Sequence, residues 1–235
     1  MQGWPEGPDQ SRHRRLQGRA DLRALEHSAA ALLRRPQNIK KMKKIALFAS
    51  GRGSNLMNIL ASMQNGCLAN LAEAVLVFSN QPQAPVLAKA EALGLAVHCI
   101  PSRGKKRLDF DAEVLDLLEK YRPDYIVLAG YMRVLSAPFV AAYAGRIVNI
   151  HPADTQVHQG LGAYKWAFEQ GLEETKITVH LVDQGLDTGP IIAQAPVNLA
   201  GVKDLAEVER RGLAVEHQLY PQALYQLFSS SKNKQ

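Results

Sequence analysis

The sequence predicts an α/β fold, with a doubly wound, mostly parallel, Rossmann-like sheet and a carboxy-terminal helix. Two observations predict it. Short runs rich in valine, isoleucine and leucine, without polar alternation, are typical of strands that are buried on both faces of a sheet. Stretches with helical periodicity separate these runs, which is the order expected when crossover helices connect parallel strands.

The first half of the fold alternates between strands and helices. Strands are expected over residues 45–50, 73–79, 97–100, 125–129 and 147–150. The intervening helices are expected over residues 56–63, 84–93 and 109–121. The second of these should end at Gly94, because glycine commonly follows the last turn of a helix.

The pattern changes after residue 151. A short helix is expected over residues 164–170, followed by two strands over 177–182 and 191–197 that would add a hairpin to the sheet. The last helix, over residues 204–228, should be interrupted or bent near Pro221, because proline lacks an amide hydrogen. The simplest organisation is one domain over residues 43–229 with a polar tail over residues 230–235.

Most of the net charge of +6 lies in the first 41 residues, which have seven Arg and two Lys against two Asp and two Glu. The remainder of the chain is therefore nearly neutral. Residues 1–42 have little apolar material to bury, so we predict a basic, disordered extension. Three interpretations stay open: a tail that contacts RNA, a transit peptide, against which its acidic residues argue, and an upstream extension of a chain that starts at Met42.

Composition argues against several classes of protein. No apolar run approaches the ~20 residues of a membrane span, and the amino terminus lacks a secretory signal, so we expect a cytoplasmic protein that does not bind a membrane. Cys67 and Cys99 lie far apart and outside any Cys/His cluster, so neither a disulfide framework nor a zinc site is indicated. The near-neutral core argues against a surface for nucleic acid.

The segment 146–152 and the later segment 185–190 supply the polar groups of an acyl-transfer site. The strand period of two places Asn149 and His151 on the same side. An Asn amide can donate to a developing oxyanion, a His can move a proton near neutral pH, and Asp187 can orient the imidazole. Taken alone, these residues would also fit the end of a strand and a simple turn.

The segment 50–56 is a glycine-rich turn between the first strand and the first helix. Its backbone can approach an anion, and the helix that follows presents free N–H groups. The third glycine of a dinucleotide fingerprint is missing, and no Gly-Lys-Ser/Thr of a Walker loop follows. A single phosphomonoester therefore fits better than a dinucleotide or a nucleoside triphosphate.

Five motifs in order resemble the phosphoribosylglycinamide formyltransferases: segments 50–56, 128–136, 143–152, 185–190 and 216–221. The resemblance covers nearly the whole chain from residue 43 and implies a formyltransferase-like fold. It also implies metal-independent transfer of the formyl group of 10-formyltetrahydrofolate to the amine of glycinamide ribonucleotide, in IMP biosynthesis. Two small molecules would be the partners, and the assembly would be a monomer or a homodimer.

The resemblance also implies roles for individual residues. The phosphate of the ribonucleotide would be held by Gly53, Ser54 and Asn55, and Glu216 would bind elsewhere on that substrate, at its ribose. The folate would be contacted by Arg107, Met132, Arg133, Val134, Leu135 and Asn149.

The same resemblance makes Asn149, His151 and Asp187 the catalytic residues. Asn149 and His151 would contact the formyl oxygen and the proton in transfer, which His151 or a water would carry. Asp187 would raise the pKa of His151 by favouring the imidazolium form.

The loop over residues 153–159 departs from the apolar sequence that is commoner in the family. His158 in that loop is expected to be a solvated bystander rather than a second titratable group of the site, and His180 could line the site or be structural. Other functions remain open: a 10-formyltetrahydrofolate hydrolase, a formyltransferase for methionyl-tRNA or an amino sugar, and a non-catalytic ligand-binding module with a basic tail. An intact phosphate loop favours the ribonucleotide transferase, because a hydrolase needs no such loop.

Overall fold

The computed structural model describes residues 41–230. The expected extension over residues 1–42 and the tail over 230–235 therefore lie almost wholly outside the described residues. Within the described part, one sheet contains seven strands. They are β1 (Lys43–Phe48), β2 (Ala72–Ser79), β3 (Val97–Cys99), β4 (Tyr125–Leu128), β5 (Ile147–His151), β6 (Glu174–Leu181) and β7 (Ile191–Asn198).

The strands lie in the order β3-β2-β1-β4-β5-β6-β7. The first five are parallel, whereas β6 pairs antiparallel with both β5 and β7. The predicted doubly wound sheet and its added hairpin are thereby confirmed. The chain leaves β1 towards β2 on one side and returns to β4 on the other, so the carboxyl ends of β1 and β4 form the crevice where ligands bind in such sheets.

Six helices in the described range cover the two faces of the sheet. They are α1 (Ser54–Asn65), α2 (Pro85–Glu91), α3 (Arg107–Tyr121), α4 (Ala137–Ala142), α5 (Ala163–Glu169) and α6 (Leu205–Ser230). One core joins α1, α2, α5 and α6 to the strand residues on one face, and a second core joins α3 and α4 to the other face. Along β1, Leu47 belongs to the first core and Phe48 to the second, as the strand period requires. Among the described residues, no helix is both long enough and apolar enough to cross a membrane.

Helix α4 was not predicted, and its start depends on a distant residue. Its six residues are too few to show a helical period. Ser136 precedes the helix, and its backbone amide donates to the carboxylate of Asp111 on α3 at 2.6 Å. A buried carboxylate from another helix therefore fixes the point at which α4 begins.

An interruption or a bend was predicted near Pro221, and the interruption is wrong, because α6 is continuous from Leu205 to Ser230. A proline in a helix leaves the carbonyl four residues earlier without its usual partner, here the carbonyl of His217. The side chain of Asn58 on α1 donates to that carbonyl at 2.5 Å. A neighbouring helix thus supplies the hydrogen bond that the proline removes.

Tyr220 anchors α6 to the strands that carry the site. It is fully buried, and its hydroxyl lies 2.9 Å from the carbonyl oxygen of Leu128 on β4 and 3.1 Å from that of Val148 on β5. One proton can serve either acceptor. The contact fixes the position of α6, and hence of Glu216 one turn earlier, relative to β4 and β5.

Candidate active site

The candidate site lies at the carboxyl ends of β1, β4 and β5. Two loops leave β1 and β4 side by side there: the amide of Ser50 donates to the carbonyl of Gly130 at 3.0 Å, and the amide of Met132 donates to the Ser50 hydroxyl at 2.8 Å. Ser50 in turn donates to Asn80 at the end of β2 at 2.7 Å. The glycine-rich loop and the segment after β4 are therefore parts of one hydrogen-bonded surface.

Asp187 brings together the polar side chains of β5. Its Oδ1 lies 3.3 Å from the amide nitrogen of Asn149, and its Oδ2 lies 3.4 Å from Nδ1 of His151. The side chains of His151 and Asp187 are only 5% and 10% exposed. The strand period and the loop after β6 therefore place all three predicted catalytic residues in one buried cluster.

His180 on β6 is a fourth member of this cluster. It stands opposite Asn149 in the antiparallel register, and its Nε2 lies 3.3 Å from the Asn149 amide nitrogen and 3.4 Å from Oδ1 of Asp187. Its Nδ1 donates to the carbonyl of Leu181 at 2.9 Å, which leaves a lone pair on Nε2 of the neutral ring. Asn149 can therefore donate one hydrogen to His180 and the other to Asp187.

The imidazole of His151 lies between two acceptors. Nδ1 faces Asp187, and Nε2 lies 3.0 Å from the backbone carbonyl oxygen of His158. Burial lowers the pKa of His151, although the Asp187 charge and the His158 carbonyl act to raise it. Asp187 therefore acts on the pKa of His151 in the predicted direction, but the net shift is a lowering, because the cost of burying the imidazolium outweighs the attraction of one carboxylate.

Asp187 is held as a carboxylate by the residues around it. Burial would raise the pKa of Asp187, but the adjacent side chain of His180, the hydrogen bond from the amide of Gly160 and the nearby His151 make the net shift a lowering. The Gly160 amide lies 2.9 Å from Oδ2. The backbone of Asp187 is left-handed, with φ of 54°, a conformation that aspartate and asparagine tolerate better than most residues.

The loop after β1 ends at the amino terminus of α1. Gly53 caps this twelve-residue helix in the left-handed conformation, with φ of 70°. A Cβ at this position would lie 2.2 Å from Cγ2 of Val86, so both the backbone and the packing require glycine. The first helical residues, Ser54 and Asn55, thus begin a helix whose free N–H groups and dipole favour an anion.

Glu216 on α6 lies next to this helix terminus. It is buried, and one carboxylate oxygen accepts a short hydrogen bond from the side chain of Asn55. The other oxygen accepts a short hydrogen bond from the hydroxyl of Tyr164 on α5. The two sequence motifs assigned to the ribonucleotide are therefore in direct contact, and a tyrosine that had no predicted role joins them.

The residues predicted to contact folate fall into two groups. Met132 and Val134 are 65% and 55% exposed, so they present apolar surface at the mouth of the crevice. The guanidinium of Arg133 instead lies 4.7 Å from the centre of the Phe110 ring and donates to the carbonyl of Lys105 at 3.2 Å. Its side chain fastens the loop to the start of α3.

Two other predicted folate contacts lie near these residues in the chain. Leu135 is half-buried against the core that contains α3 and α4. Arg107 is exposed at the first residue of α3. The structure thus places Arg107 on the surface, whereas Leu135 is packed.

The unusual loop after His151 is attached to β6 and β7. Asp154 forms an ion pair with Lys176 at 2.8 Å and accepts from the side chain of Gln194 at 3.3 Å. The hydrogen bond from Lys176 is the largest influence on the pKa of Asp154, and the net shift is a lowering. The loop can therefore project residue 158 back over the site.

His158 is not the solvated bystander that was expected. Its ring is stacked at 6.3 Å from that of His151 and lies 4.6 Å from that of Trp166, and its carbonyl contacts His151. The sequence could not single out this carbonyl, because every residue has one. Among the described residues, no group of three or more His, Cys, Asp or Glu side chains is arranged to hold a metal ion.

Comparisons with known proteins agree on one family. A family model described as formyl transferase matches residues 43–224. The phosphoribosylglycinamide formyltransferase of Bacillus subtilis (strain 168) is 37% identical over 187 residues, which are 79% of this chain and 95% of the relative. That of Escherichia coli (strain K12) is 38% identical over 178 residues, which are 75% of this chain and 83% of the relative.

A longer relative and a solved structure extend this agreement. The trifunctional purine biosynthetic protein adenosine-3 of Drosophila melanogaster is 39% identical over 193 residues, which are 82% of this chain but only 14% of the relative. The crystal structure of phosphoribosylglycinamide formyltransferase from Bacillus halodurans has a TM-score of 0.77 and 36% identity, and the match covers 81% of this chain and 98% of that one. The chain therefore corresponds to nearly all of the bacterial relative and to a small part of the insect one.

Proposed function

Because the chain belongs to the formyl transferase family, we propose that it transfers the formyl group of 10-formyltetrahydrofolate to the amine of 5′-phosphoribosylglycinamide in purine biosynthesis. The observation that carries the proposal is the contact between Asn55 and Glu216, which joins an anion-binding helix terminus to a buried carboxylate. A formyl transferase that acted on water alone would need neither group.

The ribonucleotide fits this part of the crevice. Its phosphate would accept hydrogen bonds from the free N–H groups at the start of α1, around Gly53 and Ser54. Hydroxyl groups of the ribose are donors, and Glu216 has lone pairs left to accept from them. The side-chain oxygen of Asn55 is buried without a hydrogen-bond partner in the described part of the chain, so it is a further acceptor for such a donor.

The folate fits the neighbouring mouth of the crevice. The exposed side chains of Met132 and Val134 would cover one face of a flat aromatic ring, which removes apolar surface from water. Leu135 and the backbone after Gly130 would form the floor, and Arg107 and Arg133 supply positive charge for the acidic part of a folate. When bound, the folate supplies the formyl group on a nitrogen that can leave.

The residues of β5 would act on the two reacting groups. The amide of Asn149 donates to the formyl oxygen as this oxygen becomes negative, and such a donor contributes a few kcal/mol in known sites. His151, kept neutral by burial, can accept a proton from the attacking amine. Asp187 stabilises the imidazolium that results, and the proton then moves to the leaving nitrogen.

This scheme needs no covalent intermediate on the protein. The amine is itself a nucleophile, and the side chains of the cluster are an amide, two imidazoles and a carboxylate. The amine would meet Nε2, which faces the carbonyl of His158, so His151 must leave that contact and carry its hydrogen on Nδ1, towards Asp187, before Nε2 can accept a proton. The loop over residues 153–159 would therefore shift when substrates bind.

Product formation with and without the ribonucleotide tests the proposal. The purified chain is mixed with 10-formyltetrahydrofolate, and the deformylated folate is followed by absorbance. We expect release that requires glycinamide ribonucleotide and yields its formylated product. Equal release without the ribonucleotide would show a hydrolase, and no release in either mixture would support a non-catalytic binding module.

The finer expectations from the sequence remain proposals. We propose that residues 43–229 are the catalytic domain, that the protein acts in the cytoplasm, and that it works as a monomer or homodimer without nucleic acid. The match over residues 43–224 supports the domain boundary.

A further inference from the structure

Tyr164 is the second residue of α5, and it is a hydrogen-bond partner of Glu216 that had no role predicted from the sequence. Its hydroxyl donates to one oxygen of the Glu216 carboxylate. Burial, and then the charge of Glu216, raise the pKa of Tyr164 far above its ordinary value. The hydroxyl therefore keeps its proton and remains a donor.

The carboxylate of Glu216 is held from two sides. Asn55 donates to one oxygen from α1 and Tyr164 donates to the other from α5. Both donors are neutral, so they fix the orientation of the carboxylate without cancelling its charge. Each oxygen keeps a lone pair for a further donor, and a hydroxyl group is the kind of ligand that would supply it.

Gly212 leaves room for the ring of Tyr164. It lies one helical turn before Glu216 on α6, and a Cβ there would be 2.2 Å from Cε1 of Tyr164 and 2.4 Å from its hydroxyl oxygen. Glycine inside a helix lowers its stability relative to alanine. Two consecutive turns of α6 are thus shaped around Tyr164: one makes room for the ring and the other accepts from its hydroxyl.

We propose that Tyr164 is a positioning residue for the ribonucleotide: it holds Glu216 in the orientation that accepts hydrogen bonds from the ribose hydroxyls. The inference rests on the proposed function, because it takes the ribonucleotide as the substrate of this site. Tyr164 acts through Glu216 and not on the reacting atoms, so its removal affects binding of one substrate and leaves the chemical step nearly unchanged.

The Tyr164→Phe variant tests this, because it removes the hydroxyl and keeps the ring. We expect the KM for glycinamide ribonucleotide to rise about tenfold, while kcat and the KM for 10-formyltetrahydrofolate change by less than about threefold. Tyr225→Phe is the matched control, since Tyr225 is an exposed tyrosine on α6. An unchanged KM for the ribonucleotide, or an equal loss for both substrates, would overturn the proposal.

Binding of ribose 5-phosphate by calorimetry separates this inference from the proposed function. The probe has the ribose and the phosphate but no amine to be formylated. The inference expects about tenfold weaker binding by Tyr164→Phe than by the unaltered chain, even if formyl transfer fails. Equal binding by both proteins, or binding by neither, would contradict the inference.

Gly212→Ala perturbs the same contact while the hydroxyl remains, and it replaces Tyr164→Phe if that variant does not fold. It should also raise the KM for the ribonucleotide about tenfold with little change in kcat. A Gly212→Ala protein with the KM of the unaltered chain contradicts the proposal. In the Glu216→Gln background, Tyr164→Phe should cost little further affinity, because the two side chains act as one unit.

Discussion

Replacement of Asp187 by Asn removes the charge of the candidate catalytic cluster and keeps the shape of the side chain. The left-handed backbone at this position suits asparagine, whereas alanine would add strain. The amide oxygen of the new residue can still accept from Gly160. The change therefore isolates the electrostatic contribution that we propose for Asp187 in proton transfer by His151.

The distance between Asp187 and His151 sets the expected size of the effect. Two unit charges 3.4 Å apart attract by about 5 kcal/mol at an effective dielectric constant of about 20. This is an upper value, because the group is only partly shielded from water. At about 1.4 kcal/mol for each factor of ten, we expect Asp187→Asn to lower kcat between about 10²-fold and 10³-fold.

The assay is formyl transfer with both substrates varied, together with thermal unfolding. The KM values should change by less than about threefold, and the free energy of unfolding by no more than about 2 kcal/mol. Asp183→Asn is the matched control, because it removes the same charge from the same loop. Asp183 accepts hydrogen bonds from the amide of Gly185 and the hydroxyl of Thr188, not from the histidines. A kcat for Asp187→Asn within about threefold of the control would refute the electrostatic argument, and a collapse of the melting temperature would make Asp187 structural.

Two other predictions concern acid stability and the proline in α6. The pKa of His151, measured by histidine NMR, should lie below about 6.5 and fall further in Asp187→Asn, because the carboxylate acts to raise it. Because the folded-state pKa is the lower one, His151 contributes stability that is present above about pH 6.5 and is lost as pH falls through the folded pKa. In His151→Gln the loss of stability on acidification should be smaller, and an unaltered dependence of stability on pH would contradict this. Asn58→Ala should lower the free energy of unfolding, measured in urea, by about 1–3 kcal/mol. The decrease should be smaller in a Pro221→Ala background, because the new backbone amide can donate to the carbonyl of His217. Equal decreases in both backgrounds would refute this account.

The parts of the fold that depend on local pattern could be predicted from the sequence. Each buried strand carries its own apolar run, and the spacing of Asn149 and His151 follows from the geometry of a single strand. The start of α4 could not be predicted, because it depends on Asp111, which lies 25 residues before Ser136 in the chain. The same holds for the uninterrupted α6, whose proline is compensated by Asn58 on another helix.

The candidate site divides in the same way. The sequence pointed to residue types that suit the chemistry, and the structure gathers Asn149, His151 and Asp187 in one cluster. The net pKa shift of His151 depends on burial, which three-dimensional packing decides. Tyr164 gives no signal of its own, because a tyrosine near the start of a short helix is common, and only its contact with Glu216 sets it apart.

The amide hydrogens of Asn149 contact acceptors inside the cluster. Asn149 donates to Asp187 and His180. A neutral formyl oxygen would replace Nε2 of His180 as the acceptor for one Asn149 hydrogen, and both are neutral acceptors of similar strength, so the exchange contributes little to ground-state binding. An oxygen that becomes negatively charged accepts a hydrogen bond about twice as strong. The same exchange therefore favours the transition state over the bound substrate, and that difference is the part of the interaction that accelerates the reaction.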